Sequence, residues 1–143
     1  MSGVLAKIAK VFMALNVWLY RRSHGRVMGK VGGIPVLLLT VAGRKTGIAR
    51  TSPVSYFLEG DSYVVTGTAG GSPQEPQWFR NLRAAPRAEI EVGSRRLPVV
   101  VRVTTGDERA ALWKKRVQTA PRFGKYETKT DRPMPMAVLT PTE

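Results

Sequence analysis

The stretch GRKTGIARTSP, Gly43 to Pro53, holds three cations (Arg44, Lys45 and Arg50), two glycines and no carboxylate between two apolar runs. A glycine-flanked turn between strands can aim its backbone N–H groups at one point. Guanidinium and ammonium groups beside it then make a concave anion site. The plainer alternative is a solvated basic hairpin. A Walker loop is excluded, because the GxxxxGK[ST] spacing is absent and the segment feeds a strand rather than a helix. Downstream, TGTAGG (residues 66 to 71) places small residues at a strand end, where a flat ring could lie against backbone, and WFRNL follows. The alternative there is that Trp78 is core and the glycines only turn the chain. Together the two segments look like the phosphate and ring sites of one flat, anionic ligand.

The composition narrows the chemistry. The 143 residues contain no cysteine and one histidine, His24, so disulfides and thiolate chemistry are excluded and no metal site is expected. Net charge is +13, and residues 1 to 58 carry nine Lys or Arg and no Asp or Glu. Such a field attracts nucleic acid, anionic lipid or a polyanionic ligand. Nucleic acid is not expected, because aromatics and cations are not interleaved on any strand face and no recognition motif is present.

The elements that must position these residues follow from periodicity. Val4, Ile8, Val11, Phe12, Leu15, Trp18 and Leu19 recur at helical spacing, with Lys7, Lys10 and Arg21 off the stripe, so residues 1 to 22 read as a basic amphipathic helix. Its ten-residue run VFMALNVWLY is too short to span a bilayer. SHGRVMGKVGG reads as a loop without firm structure. Strands are expected over 34 to 41, 50 to 58 (with Pro53 demanding an edge or a bulge), 62 to 68, 88 to 92, 95 to 103 and 136 to 140. Helices are expected over 77 to 85 and 107 to 118, and PRFGKYETKTDRP reads as irregular. The chain is read as one domain, 1 to 143. Short turns between consecutive strands favour antiparallel pairing, so the expected fold is α+β, a barrel of about six mostly antiparallel strands with helices packed at its ends.

The motifs GRKTGxxRTSP, YVVTGTAGG and PQWFRNLRAAPR, with NVWLYRR upstream and TDRPMP near the end, resemble the deazaflavin-dependent nitroreductase family of actinobacteria, within the flavin-binding split-barrel superfamily. The resemblance runs from about Asn16 to Pro141. It implies a split β-barrel and coenzyme F420, an 8-hydroxy-5-deazaflavin whose ribityl chain continues through a phosphate into a lactyl polyglutamate tail. By that resemblance Arg44, Lys45 and Arg50, with Thr46 in the same turn, meet the phosphate and tail. Pro53 and the backbone of Val65, Thr66, Thr68 and Ala69 line the ring, and Trp78 and Asn81 close over the ribityl region.

The implied activity is hydride transfer from the reduced deazaflavin to an activated C=C bond or a quinone; enones, coumarin-like lactones and nitro compounds are further acceptor classes. Charge left on the acceptor oxygen and the proton needed at carbon both suit a hydroxyl donor. Tyr126 matches a family tyrosine at the substrate pocket and Phe123 another aromatic position; Ser55 and Thr68 are further candidates facing the ring, and Trp18 a further pocket residue. This chain has Ala69 where relatives carry Lys or Asn, Ser55 where some carry Tyr, and Ala120 where some carry an aromatic. A roomier pocket follows, which argues against nitroimidazoles. The alternative function is a non-catalytic split barrel that binds deazaflavin, flavin or haem. A monomer in the cytoplasm is expected. Its N-terminal helix could pack on the barrel, cover the substrate pocket, or touch the inner face of an anionic membrane through Lys7, Lys10, Arg21 and Arg22.

Overall fold

The computed structural model describes residues 2–31 and 33–142. Met1, Gly32 and Glu143, which fall within the expected 1–143 domain, lie outside the described residues. In chain order the elements are α1 (Ser2–Arg22), β1 (Lys30–Val31), β2 (Ile34–Ala42), β3 (Ala49–Glu59), β4 (Ser62–Thr66), α2 (Gln77–Arg83), β5 (Arg87–Val92), β6 (Arg95–Val103), α3 (Gly106–Thr119), α4 (Gly124–Glu127) and β7 (Met136–Pro141). Single 3-10 turns occupy Ala69–Gly71 and Pro121–Phe123.

Six strands close on themselves in the order β2-β3-β4-β7-β6-β5, with β5 returning to β2, and every pairing is antiparallel. The short β1 is an appendage on the start of β2, in a segment whose glycines gave no strand signal. Side chains alternate across the barrel wall. Leu37, Leu39, Val41, Val54, Val65, Ile90, Val99, Ala137 and Leu139 point inward and form one buried cluster with Phe79 and Leu82 of α2, which stops one end. Leu38 points outward under α1, and Phe57, Val64, Met136 and Val138 point outward under α3 and the Phe123 turn. α1 and α3 thus cover side chains on the outside of the barrel wall.

The irregular reading of residues 121 to 133 needs revision at its start. The 3-10 turn at Pro121–Phe123 leads straight into α4, which is fixed to α3 by a hydrogen bond from Trp113 Nε1 to the Glu127 carboxylate. β4 ends at Thr66, two residues sooner than expected. Gly67 turns away there, and a Cβ at that position would lie 2.9 Å from the Phe79 ring. Pro53 sits inside β3 without a bulge. β4 pairs with β3 only from Tyr56 onward, so Pro53 has β2 on one side and, among the described residues, no strand on the other. The missing N–H costs nothing at such an edge.

α1 turns an unexpected face to the barrel. Val17 and Tyr20 are its buried contacts, while Val4, Ile8, Val11, Phe12, Leu15 and Trp18 of the apolar stripe are exposed. Specific polar bonds set this rotation. The Tyr20 hydroxyl donates to the Glu91 carbonyl at 3.1 Å and accepts from the Gly93 N–H at 2.9 Å, and Arg21 grips the Glu91 carboxylate with both Nε and Nη2. Among the described residues no helix is long and apolar enough to cross a membrane.

Tyr20→Phe removes a buried donor and leaves the half-buried Gly93 N–H without its acceptor, so unfolding is expected to become easier by about 1–2 kcal/mol. A urea midpoint equal to that of the unaltered chain would contradict this anchor. Burial, reinforced by the Glu91 charge and opposed by the Gly93 N–H, raises the Tyr20 phenol above its ordinary value of 10.0. The stability it contributes is therefore complete below that ordinary value and lost as the pH climbs through the raised one. In Tyr20→Phe this alkaline loss should disappear: the variant starts less stable near neutral pH, and its stability should fall less steeply than that of the unaltered chain as the pH rises above 10.0.

Candidate active site

The turn between β2 and β3 is closed by its own backbone. The Gly43 N–H donates to the Ile48 carbonyl at 2.9 Å, the Gly47 N–H to the Gly43 carbonyl at 2.8 Å, and the Ile48 N–H to Thr46 Oγ1 at 3.2 Å. Gly47 has φ +75°, which a residue with Cβ adopts only under strain. Asn81, buried in α2, receives both the Arg44 N–H (3.1 Å) and Arg44 Nη1 (2.7 Å) on its Oδ1. These bonds use most of the turn's amides, so attraction for an anion rests chiefly on side-chain cations rather than on a backbone cradle. Arg44, Lys45, Thr46, Arg50 and Asn81 meet, with Gly43, in one pocket of about 370 Å³, which Lys10 of α1 and Gln77 of α2 complete. None of its four cations pairs with a carboxylate among the described residues.

A second, larger concavity of about 660 Å³ runs between α1 and β3. Lys10, Met13, Ala14, Val17 and Arg21 lie at helical spacing along its roof, with Trp18 and Arg22 beside them and Thr51 opposite. Lys10 belongs to both spaces, so the basic pocket and the groove adjoin. Arg22 lies 5.7 Å from the centre of the Trp18 ring. Trp18 thus lines the groove.

The expected ring-lining residues gather around the open edge of β3. Pro53 and Ser55 share its outer face, and Ser55 precedes the first β3–β4 pair, Tyr56 with Val65. Past β4, Thr66 gives way to a loop in which Ala69, Gly70 and Gly71 all have positive φ (+47°, +65° and +87°). Ala69 carries a Cβ in that region, at a cost of about 1–2 kcal/mol. Arg132 holds the loop by donating to three carbonyls: Gly67 (3.1 Å, from Nη1), Thr68 (2.7 Å, from Nη2) and Ser72 (2.8 Å, from Nε). Tyr126 adjoins the same loop, since a Cβ on Gly71 would lie 2.9 Å from its carbonyl oxygen. Its ring meets Phe123 edge-on at 5.5 Å.

Some expected residues stay apart. The Val65 side chain is inside the barrel, which leaves only its backbone for a ligand, and Trp78 packs against the barrel core edge-on to Phe79. Neither lines the basic pocket, and Phe123 is buried under α3. Lys10, Gln77 and Arg132 carried no sequence signal as site residues. Lys10 depends on the rotation of α1, and Arg132 stood only inside the quoted TDRPMP motif.

The donor set fits a multiply charged anion: four cations, two side-chain amides and a hydroxyl, with no carboxylate on the wall. A six-stranded split barrel with such a pocket beside the open edge of β3 is a scaffold suited to an anionic ligand. A family model described as F420H(2)-dependent quinone reductase matches residues 12–141, and the chain belongs to that family. An F420H(2)-dependent quinone reductase of Mycobacterium tuberculosis is 38% identical over 132 residues, covering 90% of this chain and 89% of that protein. A solved F420-H2 dependent reductase, FDR-A, superposes with a TM-score of 0.67 at 34% identity, over 73% of this chain and 93% of its own. A structure described as a domain-swapped dimer also gives 0.67, at 30% identity over 85% of this chain and 96% of its own. The protein is an enzyme, an F420-dependent reductase, as its resemblance implied.

Arg132→Lys keeps the charge but cannot reach three carbonyls at once. Faster amide exchange over residues 67 to 72, with exchange in β6 unchanged, is the expected result. Equal protection of the loop in both proteins would show that Arg132 does not shape it.

Proposed function

We propose that this reductase holds F420 with its phosphate and tail carboxylates over the basic pocket, and its ring toward the edge of β3, and that it reduces quinones or other conjugated carbonyl acceptors. The observation that carries this reading is the carboxylate-free pocket of Lys10, Arg44, Lys45 and Arg50, continuous through Lys10 with a groove walled by Met13, Val17 and Trp18. When bound, reduced F420 supplies hydride, and the protein's share is position and polarisation.

Arg44 is held ready by Asn81, so little ordering remains when an anion arrives. Lys45 and Arg50 are exposed and add charge attraction at longer reach. Pro53 and Ser55 on one side, and Thr66, Thr68 and Ala69 on the other, bracket the space for a flat ring, and Trp78 limits it near α2. An acceptor carbonyl gains negative charge on oxygen as it is reduced, and a hydroxyl aimed at that oxygen lowers the barrier. Tyr126 is the first candidate donor because its backbone carbonyl sits beside Gly71, which sets α4 against the Ala69–Gly71 turn; Ser55 and Thr68 are the further candidates. Enones and coumarin-like lactones fit the same demands, and nitro compounds fit them less well.

The titration to make is of oxidised F420 fluorescence against the purified chain, beside riboflavin phosphate. Lys45→Ala and Arg50→Ala should each weaken binding about tenfold, the order expected for one charge-assisted contact, and trimming the polyglutamate tail should weaken it further. Absent binding, or preference for riboflavin phosphate, would remove the assignment of this pocket. Tyr126→Phe should lower kcat with F420 affinity unchanged, and a loss confined to affinity would make Tyr126 a packing residue.

The exposed stripe Val4, Ile8, Val11, Phe12, Leu15 and Trp18, with Lys7 beside it, supports peripheral contact of a cytoplasmic protein with an anionic membrane. Co-sedimentation with phosphatidylglycerol vesicles at low salt should be lost in Phe12→Asp. Equal sedimentation of both proteins would remove the membrane reading. A monomer is the proposed unit of function; a dimer by analytical ultracentrifugation would overturn it.

A further inference from the structure

Arg116 is an anomaly in the charge pattern. It projects from α3 and is only 3% exposed, yet among the described residues no carboxylate pairs with it. Its Nη2 donates to Thr119 Oγ1 at 3.1 Å, while Nε and Nη1 have no hydrogen-bond partner among the described residues. The guanidinium carbon lies 4.9 Å from the Phe57 ring centre and 4.8 Å from that of Phe123. Ring faces offset part of the cost of a buried charge, but they satisfy no N–H group as a carboxylate would. Glu59 of β3 is engaged by Lys115, the residue before Arg116 in α3. Burial, and then the Arg122 charge, lower the Arg116 pKa.

Arg116 and Thr119 form part of the wall of a pocket of about 310 Å³, whose other residues are Gly33, Ile34, Pro35, Tyr56, Phe57 and Leu58. This is not the basic pocket. From Arg50 to Phe57 the chain advances seven residues along β3, about 23 Å. The pocket is large enough for a small organic molecule, mostly apolar, and has a single positive group at its wall.

We infer that this pocket is a second binding site, for a small monocarboxylate with an apolar body, its carboxylate seated on Arg116 and its body against Ile34, Pro35, Phe57 and Leu58. One buried guanidinium without a counter-charge among the described residues matches one carboxylate in charge, and an N–H group of it can donate a charge-assisted bond to a carboxylate oxygen. A phosphate dianion would need more donors than the pocket offers. A neutral ligand would leave the guanidinium as it is found, buried and without a counter-charge. The inference is independent of where F420 sits.

The test is calorimetric titration of the full chain, free of F420, with 4-phenylbutyrate and with its neutral amide at matched ionic strength. The acid is expected to bind at least tenfold more tightly than the amide. That preference should vanish in Arg116→Met and persist in Arg44→Ala, which removes a cation of the other pocket. Arg116→Met exchanges an uncompensated buried charge for an apolar chain, so it is expected to fold, and a thermal melt checks this. Should it not fold, amide chemical shifts in the unaltered chain decide: acid-induced shifts at Phe57 and Thr119 support the site, and shifts confined to residues 43 to 50 overturn it. Equal affinity for acid and amide, or a preference that survives Arg116→Met, would also overturn it.

Discussion

β2 is hydrogen-bonded along both edges, to β3 and to β5, and that double pairing closes the barrel. Closure is incomplete in one respect on which the site depends. β3 is eleven residues long and β4 only five, so the first half of β3 keeps one edge without a strand. Pro53 occupies that edge because it has no N–H to lose there, and the loop after β4 turns away beside it. A split of this kind gives a flat ligand backbone and small side chains to lie against, in a fold whose other edges are consumed by pairing. Two further helical segments of the site, α2 with Asn81 and α4 with Tyr126, are each tied down by a side-chain bond, Asn81 to Arg44 and Glu127 to Trp113.

The charge of the chain is sorted by the same architecture. Arg21 with Glu91, Arg83 with Glu75, Arg102 with Glu108 and Lys115 with Glu59 are ion pairs that stitch neighbouring elements. Pairs as exposed as the last three contribute little stability each. What matters more is where pairing stops. Lys10, Arg44, Lys45 and Arg50 converge on one concavity without an acid, so their fields add over a small volume. Arg116 is the opposite case, one cation withdrawn from water between aromatic rings on the far part of β3.

α1 couples the groove to whatever lies outside it. Its last turn is fixed on β5 through Tyr20 and Arg21, while the residues of its apolar stripe from Val4 to Leu15 are exposed. A helical stretch of that length gains little stability alone in water, so its apolar stripe is a surface in want of a partner. Because the face toward β3 is a different one, covering the stripe need not close the groove.

The sequence by itself determined the six barrel strands, their antiparallel pairing and the Gly-Arg-Lys turn, because side-chain alternation and turn chemistry are local properties of a chain. The family was legible for a similar reason: its motifs are short, contiguous and ordered. The rotation of α1 was not legible, since Tyr20 and Arg21 meet partners about seventy residues away and outweigh the helix's own apolar stripe. Nor was the part Lys10, Gln77 and Arg132 take in the site, or the isolation of Arg116 among phenylalanines from β3 and from the Phe123 turn. Tertiary structure alone decided these, because each depends on which side chains barrel closure brings within a few ångströms, and no local pattern records that distance.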